Sequence, residues 1–460
     1  MTPLNILFSV AVHLHLALGL TPSDIAVKHV KILGEQSSHQ LENRVFRDGG
    51  HSIAIGGKLV WLFDDTSSIT KRDHKLLSFV SNSVAYASDP DGDIELIEDL
   101  GDNKGERIDH TWIPFTEEEK EYNDAHKGKE RIAIWPGTNP LPISTEEAFL
   151  WTPRVHVDAQ AQKVTLRAEG MTPISINIAQ NTPQVTRLVD KIDGAIQYGG
   201  FAAVQGGSPG ARFVYLFGAD MYGLQLAQVP LDVVRDERRR RYYHPRLHVW
   251  AETQPLSGLT NEEDLYLAGT FSSGTIFFSP YFRTFVTVYF NNVADSTFYF
   301  RYLDLSAPRG STYRNVGHVF GPDDIEALAS FYWSPEIKIW RSPPMRYGYN
   351  YAGQVHPEYF NRRYYAPSVY ADAQPTEFPF YGSGVVDPET PDGKHILLSY
   401  TRQMGSGRYQ VELAKLEFEE IPGRPETDAA PMNREVCLGC VSLLWGSVFV
   451  LNLLICTGRL

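Results

Sequence analysis

Two aspartates, Asp48 and Asp65, stand where they can act on one bond. They flank residues 47–66, RDGGHSIAIGGKLVWLFDDT, which read as two strands, about 47–55 and 58–65, joined by Gly56-Gly57. A Gly-Gly link between apolar, β-branched runs signals a two-residue hairpin, because such turns need positive φ. With that loop Ile55 faces Lys58, and the same register sets Asp48 opposite Asp65. Opposed side chains on one sheet face have Cβ atoms roughly 5 Å apart. Two carboxylates so close repel, which a purely structural strand avoids. Their repulsion raises one pKa and leaves an acid and a base at one pH. Glycosidic cleavage uses that pairing: a protonated carboxylic acid, and a carboxylate acting as base or nucleophile. Gly50 and Ser52, close by on the strand, are small and leave room for a ligand. The competing reading is a bulge that shifts the register and leaves both acids as solvated turn residues.

The chain around them has 460 residues, enough for one large β domain or two smaller ones. A net charge of -13 argues against nucleic-acid binding, which needs a basic surface. The 24 Tyr and 8 Trp suit sugar stacking and equally fill β cores. Strands dominate, at 78–88, 94–97, 131–135, 148–158, 163–168, 174–178 and 184–189. Residues 102–129 are charged and loop-like, with a helix near 116–125 opened by a capping box of Thr116 and Glu119.

A repeat organises the strands. Residues 199–217, GGFAAVQGGSPGARFVYLF, mirror residues 49–63, GGHSIAIGGKLVWLF. Weaker echoes are 274–290, the pair 351–358 and 394–401, and the pair 131–136 and 148–158. Recurring sheet units point to an all-β fold, a five-bladed β-propeller of about five four-stranded units. A β-sandwich explains the strands but not the spaced similarity. In a propeller the inner strands converge on a channel, so residues at their starts share a pocket. Those residues are Asp48, Trp135, Tyr198, Thr275 and His356. Trp135, Tyr198 and His356 are therefore substrate-binding candidates, with Asp64 and Glu358. Glu358 is a candidate further acid, although Pro357 marks a strand end and a solvated carboxylate. His356 suits a hydrogen bond to a carboxylate, a metal, or a satisfied pocket position. No cofactor is expected, apart from room for a structural cation in the channel.

The remaining signals concern the ends and two basic or histidine runs. Residues 4–20 form an apolar run resembling a signal peptide, so 1–19 are expected to be removed. The propeller then occupies 20–425, and 426–460 form a polar spacer and hydrophobic tail. Residues 437–456 carry no charge and are long enough to span a bilayer or direct a GPI anchor. Both readings expect a body outside the cytoplasm, extracellular or at the cell surface, tethered to the membrane. All three cysteines, Cys437, Cys440 and Cys456, lie in this tail, so the body is held by its apolar core alone. Cys437-x-x-Cys440 is half a zinc or redox motif, but in an apolar tail it reads as lipid-facing. The arginine run at 238–241 reads as a solvated turn, a helix end or a basic cleavage site. His244 and His248 have helical ligand spacing, which Pro245 spoils. No G-x-S-x-G, Walker or Rossmann pattern occurs.

The R-D-G-G hairpin ending in D-T resembles the domain of unknown function 4185 family. So do S-N-S-V-A-Y-A, Y-G-G-F-A-A-V with V-Y-L-F-G, and G-Q-V-H-P-E with L-L-S-Y-T. The resemblance covers roughly residues 40–420. It implies a five-bladed propeller and, for some members, glycoside hydrolysis of D-arabinan. The matching acids are Asp48 and Asp65. Asp64 departs from the commoner Gly, and a third carboxylate there would alter the pKa of the pair. The insertion at 359–394, rich in Tyr and Pro, would cover the pocket mouth. The expectation is a secreted or surface-tethered, monomeric glycoside hydrolase. Its substrate would be a polysaccharide or oligosaccharide with arabinofuranosyl or related furanoside linkages. The alternative is a non-catalytic glycan-binding propeller.

Overall fold

The structure, a computed structural model, describes residues 20–421 apart from 37–42, 56–57, 88–95, 99–106, 128, 145, 160–164, 178–182, 208–210, 293–295, 310–320, 322, 344–348, 361–392 and 404–407. The described residues belong to one compact unit. The leader at 1–19, the Gly56-Gly57 turn, most of the 359–394 insertion and the cysteine-bearing tail lie outside the described residues.

The first hairpin sets the pattern. His51–Ile55 pairs with Lys58–Phe63, and Ile55 lies opposite Lys58. His51–Ile55 is buried along its whole length, as suits an inner strand covered on both faces. Ser83–Ala87 and then Leu96–Glu98 complete a four-stranded sheet. The hairpin register also continues the other way, beyond the blade. There Arg44–Arg47 pairs with Thr66–Ile69, with Arg47 opposite Thr66, and Leu76–Val80 adds a third strand.

Four more antiparallel sheets follow among the described residues. The second blade is Leu141–Pro142, Glu147–Asp158, Thr165–Asn177 and Gln184–Arg187, with Glu130–Ile134 on the far half of Glu147–Asp158. The third begins with Ala202–Gly206, Phe213–Asp220 and Gly223–Pro230. The fourth begins with Ser273–Ser279, Thr284–Phe290 and Thr297–Pro308. The fifth is Asn350–Val355, His395–Gln403 and Tyr409–Phe418, and its outermost strand is Val27–Glu35 from the start of the chain. That strand fastens the two ends of the propeller together by pairing the start of the chain with Tyr409–Phe418. The hairpins at Gly49 and Gly199 thus open different blades, and the fold is a five-bladed β-propeller.

The inner strands are laced together by side chains. Asn139 Oδ1 accepts from the Ser52 amide at 3.1 Å, and Asn139 Nδ2 donates to the Val355 carbonyl at 2.7 Å. One side chain from the second blade therefore joins the first and fifth. Thr138 Oγ1 donates to the Phe201 carbonyl, joining second to third. The Val355 amide donates to Thr275 Oγ1, and Thr275 donates to Gln354 Oε1, joining fourth to fifth. These bonds satisfy inner-strand polar groups that would otherwise be buried and unpaired. Aromatic side chains fill the wedges between blades. Phe282, Phe290, Phe298, Phe300 and Phe418 meet edge-on between the fourth and fifth.

Two strand expectations change. The run at 78–88 is two strands in different sheets, because the chain turns at Ser81-Asn82. Asn82 stabilises that turn by accepting from the Ile113 amide and donating to the Ile134 carbonyl. The runs at 163–168 and 174–178 belong to one strand, Thr165–Asn177, with a bulge at Gly170, whose φ is +136°. The helix is Glu117–Ala125, with the reciprocal Thr116 and Glu119 bonds of a capping box.

Replacing Asn139 with Ala strips the buried Ser52 amide of its side-chain acceptor and leaves the Val355 carbonyl with the longer 3.3 Å bond from Thr275. A loss of about 1–3 kcal/mol is expected from the penalty of one unsatisfied buried group. Urea denaturation checks it: the midpoint should fall with little change in slope.

Candidate active site

The hairpin register carries the acids with it. The Asp48 amide donates to the Asp65 carbonyl at 2.9 Å, and the Asp64 amide donates to the Asp48 carbonyl at 2.7 Å. Asp48 thus faces both Asp64 and Asp65 across an irregular junction between the two ladders, at the mouth of the first blade. Gly49 makes the turn into the inner strand. Its φ is +60°, and a Cβ there would sit 2.4 Å from Asp64 Oδ2. Glycine is required twice, by backbone conformation and by space.

The two acids have different surroundings. Asp65 is gripped: Arg131 Nη2 donates to Oδ2 at 2.6 Å, and Trp135 Nε1 donates to Oδ1 at 2.9 Å. Both donors come from the Glu130–Ile134 strand and the residue just after it. The Arg131 guanidinium also lies over the rings of Phe79, at 5.0 Å, and Trp135, at 5.9 Å. Burial pushes the Asp65 carboxyl up, and Arg131 and Trp135 oppose that rise. Asp48 makes no ion pair with a cation among the described residues. Burial first, and then the Asp64 carboxylate, push it up to about 8. Its Oδ1 is buried without a hydrogen-bond partner. Tyr351 hydrogen-bonds the Asp48 carboxyl, and burial and Asp48 hold the Tyr351 hydroxyl in its protonated, donor form. A register shift between Tyr351 and Gln354, with Ala352 at φ +50°, aims that tyrosine.

Asp64 bridges neighbouring elements. Its Oδ1 accepts from the Gly137 amide at 3.4 Å, and its Oδ2 lies 3.7 Å from His51 Nε2. Neither nitrogen of the buried His51 ring has a hydrogen-bond partner. Tyr349, Tyr351 and Tyr409 stand ring against ring, at 5.7 and 6.2 Å. Burial and both acids raise the Tyr409 hydroxyl. The result is an acidic pocket with an aromatic, partly exposed rim. Asp48, pushed up to about 8, keeps its proton at neutral pH, while Asp65 is raised by burial against the opposing pull of the Arg131 guanidinium.

The other strand-start residues are spent elsewhere. His356 accepts or donates to Ser52 Oγ at 2.5 Å and to Ser399 Oγ at 2.8 Å, so both ring nitrogens are occupied. Its ring packs on Trp61 at 4.3 Å, and burial drives its pKa well below the usual value. It is a satisfied structural histidine with no nitrogen left for a metal. Glu358 is buried rather than solvated, because the 3-10 turn Pro357–Tyr359 folds back into the core. Ser52 Oγ donates to Glu358 Oε1, and burial lifts Glu358 to about 7. Ser52 thus leaves no room for a ligand. Nor does Gly50, whose Cβ position lies 2.9 Å from Val411 Cγ1. Thr275 is used in the lacing of blades. Tyr198 packs between the second and third blades, 5.1 Å from the Tyr242 ring. Of the expected pocket residues, Asp48, Asp64, Asp65 and Trp135 come together. Arg131, His51 and Tyr351 join them. The Tyr351–Asp48 contact spans most of the chain, so no local pattern marks it.

No family model and no curated relative matches the chain, so the family resemblance rests on the quoted motifs. Among solved structures, a candidate hydrolase from Bacteroides ovatus is similar at 12% identity. The match covers 83% of this chain and 86% of that one, with a TM-score of 0.50. The α-L-arabinofuranosidase of Podospora anserina in complex with cellotriose matches at 10% identity. It covers 86% of this chain and 98% of that one, with a TM-score of 0.38. The Bacteroides likeness concerns the fold alone.

The raised Asp48 pKa makes stability fall with pH. Between about 4 and 8 the unfolded chain ionises Asp48 while the folded chain keeps the proton, so this group's contribution is full below that window and lost through it. Asp48→Asn removes the effect. Thermal melts from pH 4 to 8 should show the variant gaining on the wild type as pH rises. A constant difference would contradict the assignment.

Proposed function

We propose that this propeller is a glycoside hydrolase in which Asp48 is the general acid and Asp65 the nucleophile or general base. The observation that carries the reading is the contrast across one hairpin: a protonated, uncompensated Asp48 opposite an Asp65 held by Arg131 and Trp135. Asp48 gives its proton to the departing glycosidic oxygen. Its carboxylate is then left accepting from Tyr351, which eases the transfer. Asp65 supplies negative charge, or an activated water, at the anomeric carbon. Arg131 and Trp135 fix the direction in which Asp65 points. The tyrosines of the rim offer stacking faces to sugar rings.

The likeness of the R-D-G-G hairpin to a family with D-arabinan-cleaving members supports a furanoside substrate. The apolar runs at 4–20 and 437–456 support an exported, membrane-tethered protein. One observation favours a glycan-binding propeller without turnover. Both Asp65 oxygens already accept hydrogen bonds, so Asp65 must give one up to react.

A panel of arabinans and other polysaccharides, assayed for released reducing ends, separates the two. Asp48→Asn and Asp65→Asn should each lower kcat/KM at least about a hundredfold while the protein stays folded. In the wild type, kcat/KM should fall above pH about 8, where Asp48 loses its proton. Full activity in both variants would remove the carboxylates from the chemistry. Glycan binding without turnover in the wild type would select the second reading.

A further inference from the structure

The arginine run at 238–241 ends up in four different settings. Arg238 pairs with Asp236, Arg239 lies exposed at the end of a 3-10 turn, and Arg241 donates to the Trp250 carbonyl. Arg240 turns inward. It is 7% exposed, its Nε is buried without a hydrogen-bond partner, and it makes no ion pair among the described residues. Two tyrosines whose rings stand 5.1 Å apart, Tyr198 and Tyr242, lie close enough to act on its charge. Tyr198 is 2% exposed and its hydroxyl has no partner. Tyr242 accepts from Gln254 Nε2 at 3.1 Å, which leaves its own hydroxyl proton free to donate. Among the charges that act on Arg240, the acid is Glu237, which does not pair with it. Asp220, which acts on Tyr198, already accepts from the Met221 and Gly258 amides.

Buried charges are normally paired, and buried donors normally have acceptors. Here a guanidinium Nε and a tyrosine hydroxyl are buried without a partner at the boundary of the second and third blades, and no carboxylate pairs with the guanidinium among the described residues. Deprotonation of Arg240 is no escape, since a guanidinium keeps its proton in proteins. The Tyr198 hydroxyl is likewise held protonated by burial, so it too can only donate or accept as a neutral group. A guanidinium flanked by hydroxyl donors is the arrangement that binds a carboxylate or phosphate oxygen pair.

We propose that Arg240, Tyr198 and Tyr242 form an oxyanion-binding site, separate from the Asp48 pocket, that takes a carboxylate or a phosphate group. The site does not depend on the hydrolase reading. Its occupant removes the unpaired charge from the blade boundary, so binding stabilises the folded chain.

Titration of the full chain with inorganic phosphate, and separately with malonate, tests it by calorimetry and thermal melting against chloride at equal ionic strength. One of the two anions should bind saturably and raise Tm. Phosphate alone would assign a tetrahedral group, and malonate alone a carboxylate. Tyr198→Phe should weaken binding about threefold to tenfold, the size of one hydrogen bond. Arg240→Met should abolish it, and should melt higher than the wild type in chloride. Glu237→Gln should tighten it by removing a repelling carboxylate. No saturable binding of either anion to the wild type would overturn the proposal. So would equal binding by Arg240→Met, or a Glu237→Gln variant that is destabilised and does not bind, which would make Glu237 the true partner of Arg240. If Arg240→Met does not fold, the wild type and the Tyr198→Phe variant still decide.

Discussion

The register that sets Ile55 against Lys58 is the constraint on which the site depends. The same register holds in two ladders, Arg44–Arg47 with Thr66–Ile69 and His51–Ile55 with Lys58–Phe63. Between them the chain leaves the ladder at residues 48–50, where the Asp48 carbonyl accepts from the Asp64 amide. A slip of one residue would send every side chain of one strand to the other face. Asp65 would then leave Arg131 and Trp135. Two features hold the register. The inner strand is apolar and buried along its length, so a slip would expose it. Gly49 admits the Asp64 carboxylate into a space no other residue leaves free.

The propeller converts that local register into a site. Inner strands of all blades run the same way, so their starts gather at one end. There Tyr351 reaches Asp48 from the fifth blade, and Arg131 and Trp135 reach Asp65 from the second. Just inside, the channel is closed by Asn139, Thr275, Ser52 and His356 bonding across the blades. The chemistry therefore sits at the mouth, above a laced and buried centre. Asymmetry in charge follows from asymmetry in neighbours. Asp65 faces a cation and an indole donor; Asp48 faces a tyrosine and another carboxylate. Burial acts on both, and only one has a cation to offset it.

What the sequence makes legible is what local pattern encodes. Gly-Gly between alternating runs reveals the hairpin and its register, and its echo at 199–217 reveals the blades. Position along a strand was a poorer guide to role. Thr275 stands near the start of an inner strand and Tyr198 before one, but His356 follows the end of Asn350–Val355 and Trp135 the end of Glu130–Ile134, not the expected starts, and position says nothing of where a side chain points. Tyr198 turns between blades, and Thr275 and His356 turn to neighbouring strands. Glu358 shows the same limit: Pro357 marks a strand end correctly, yet the turn after it folds inward. Gly50 is small because Val411 and Trp61, from elsewhere in the chain, fill the space above it. Arg131, His51 and Tyr351 carry no motif of their own. Only the closed ring brings them to the acids. The inward turn of Arg240 was equally invisible within a run of like charges.

The central claim is that Asp48 remains an acid at neutral pH while facing Asp65. Carbon-13 NMR of protein labelled at aspartate carboxyl carbons, titrated from pH 3 to 9, reads this directly. One carboxyl signal should titrate near pH about 8 and be absent from Asp48→Asn. If every aspartate signal has finished titrating below pH about 5, the acid and base roles assigned to this hairpin are wrong.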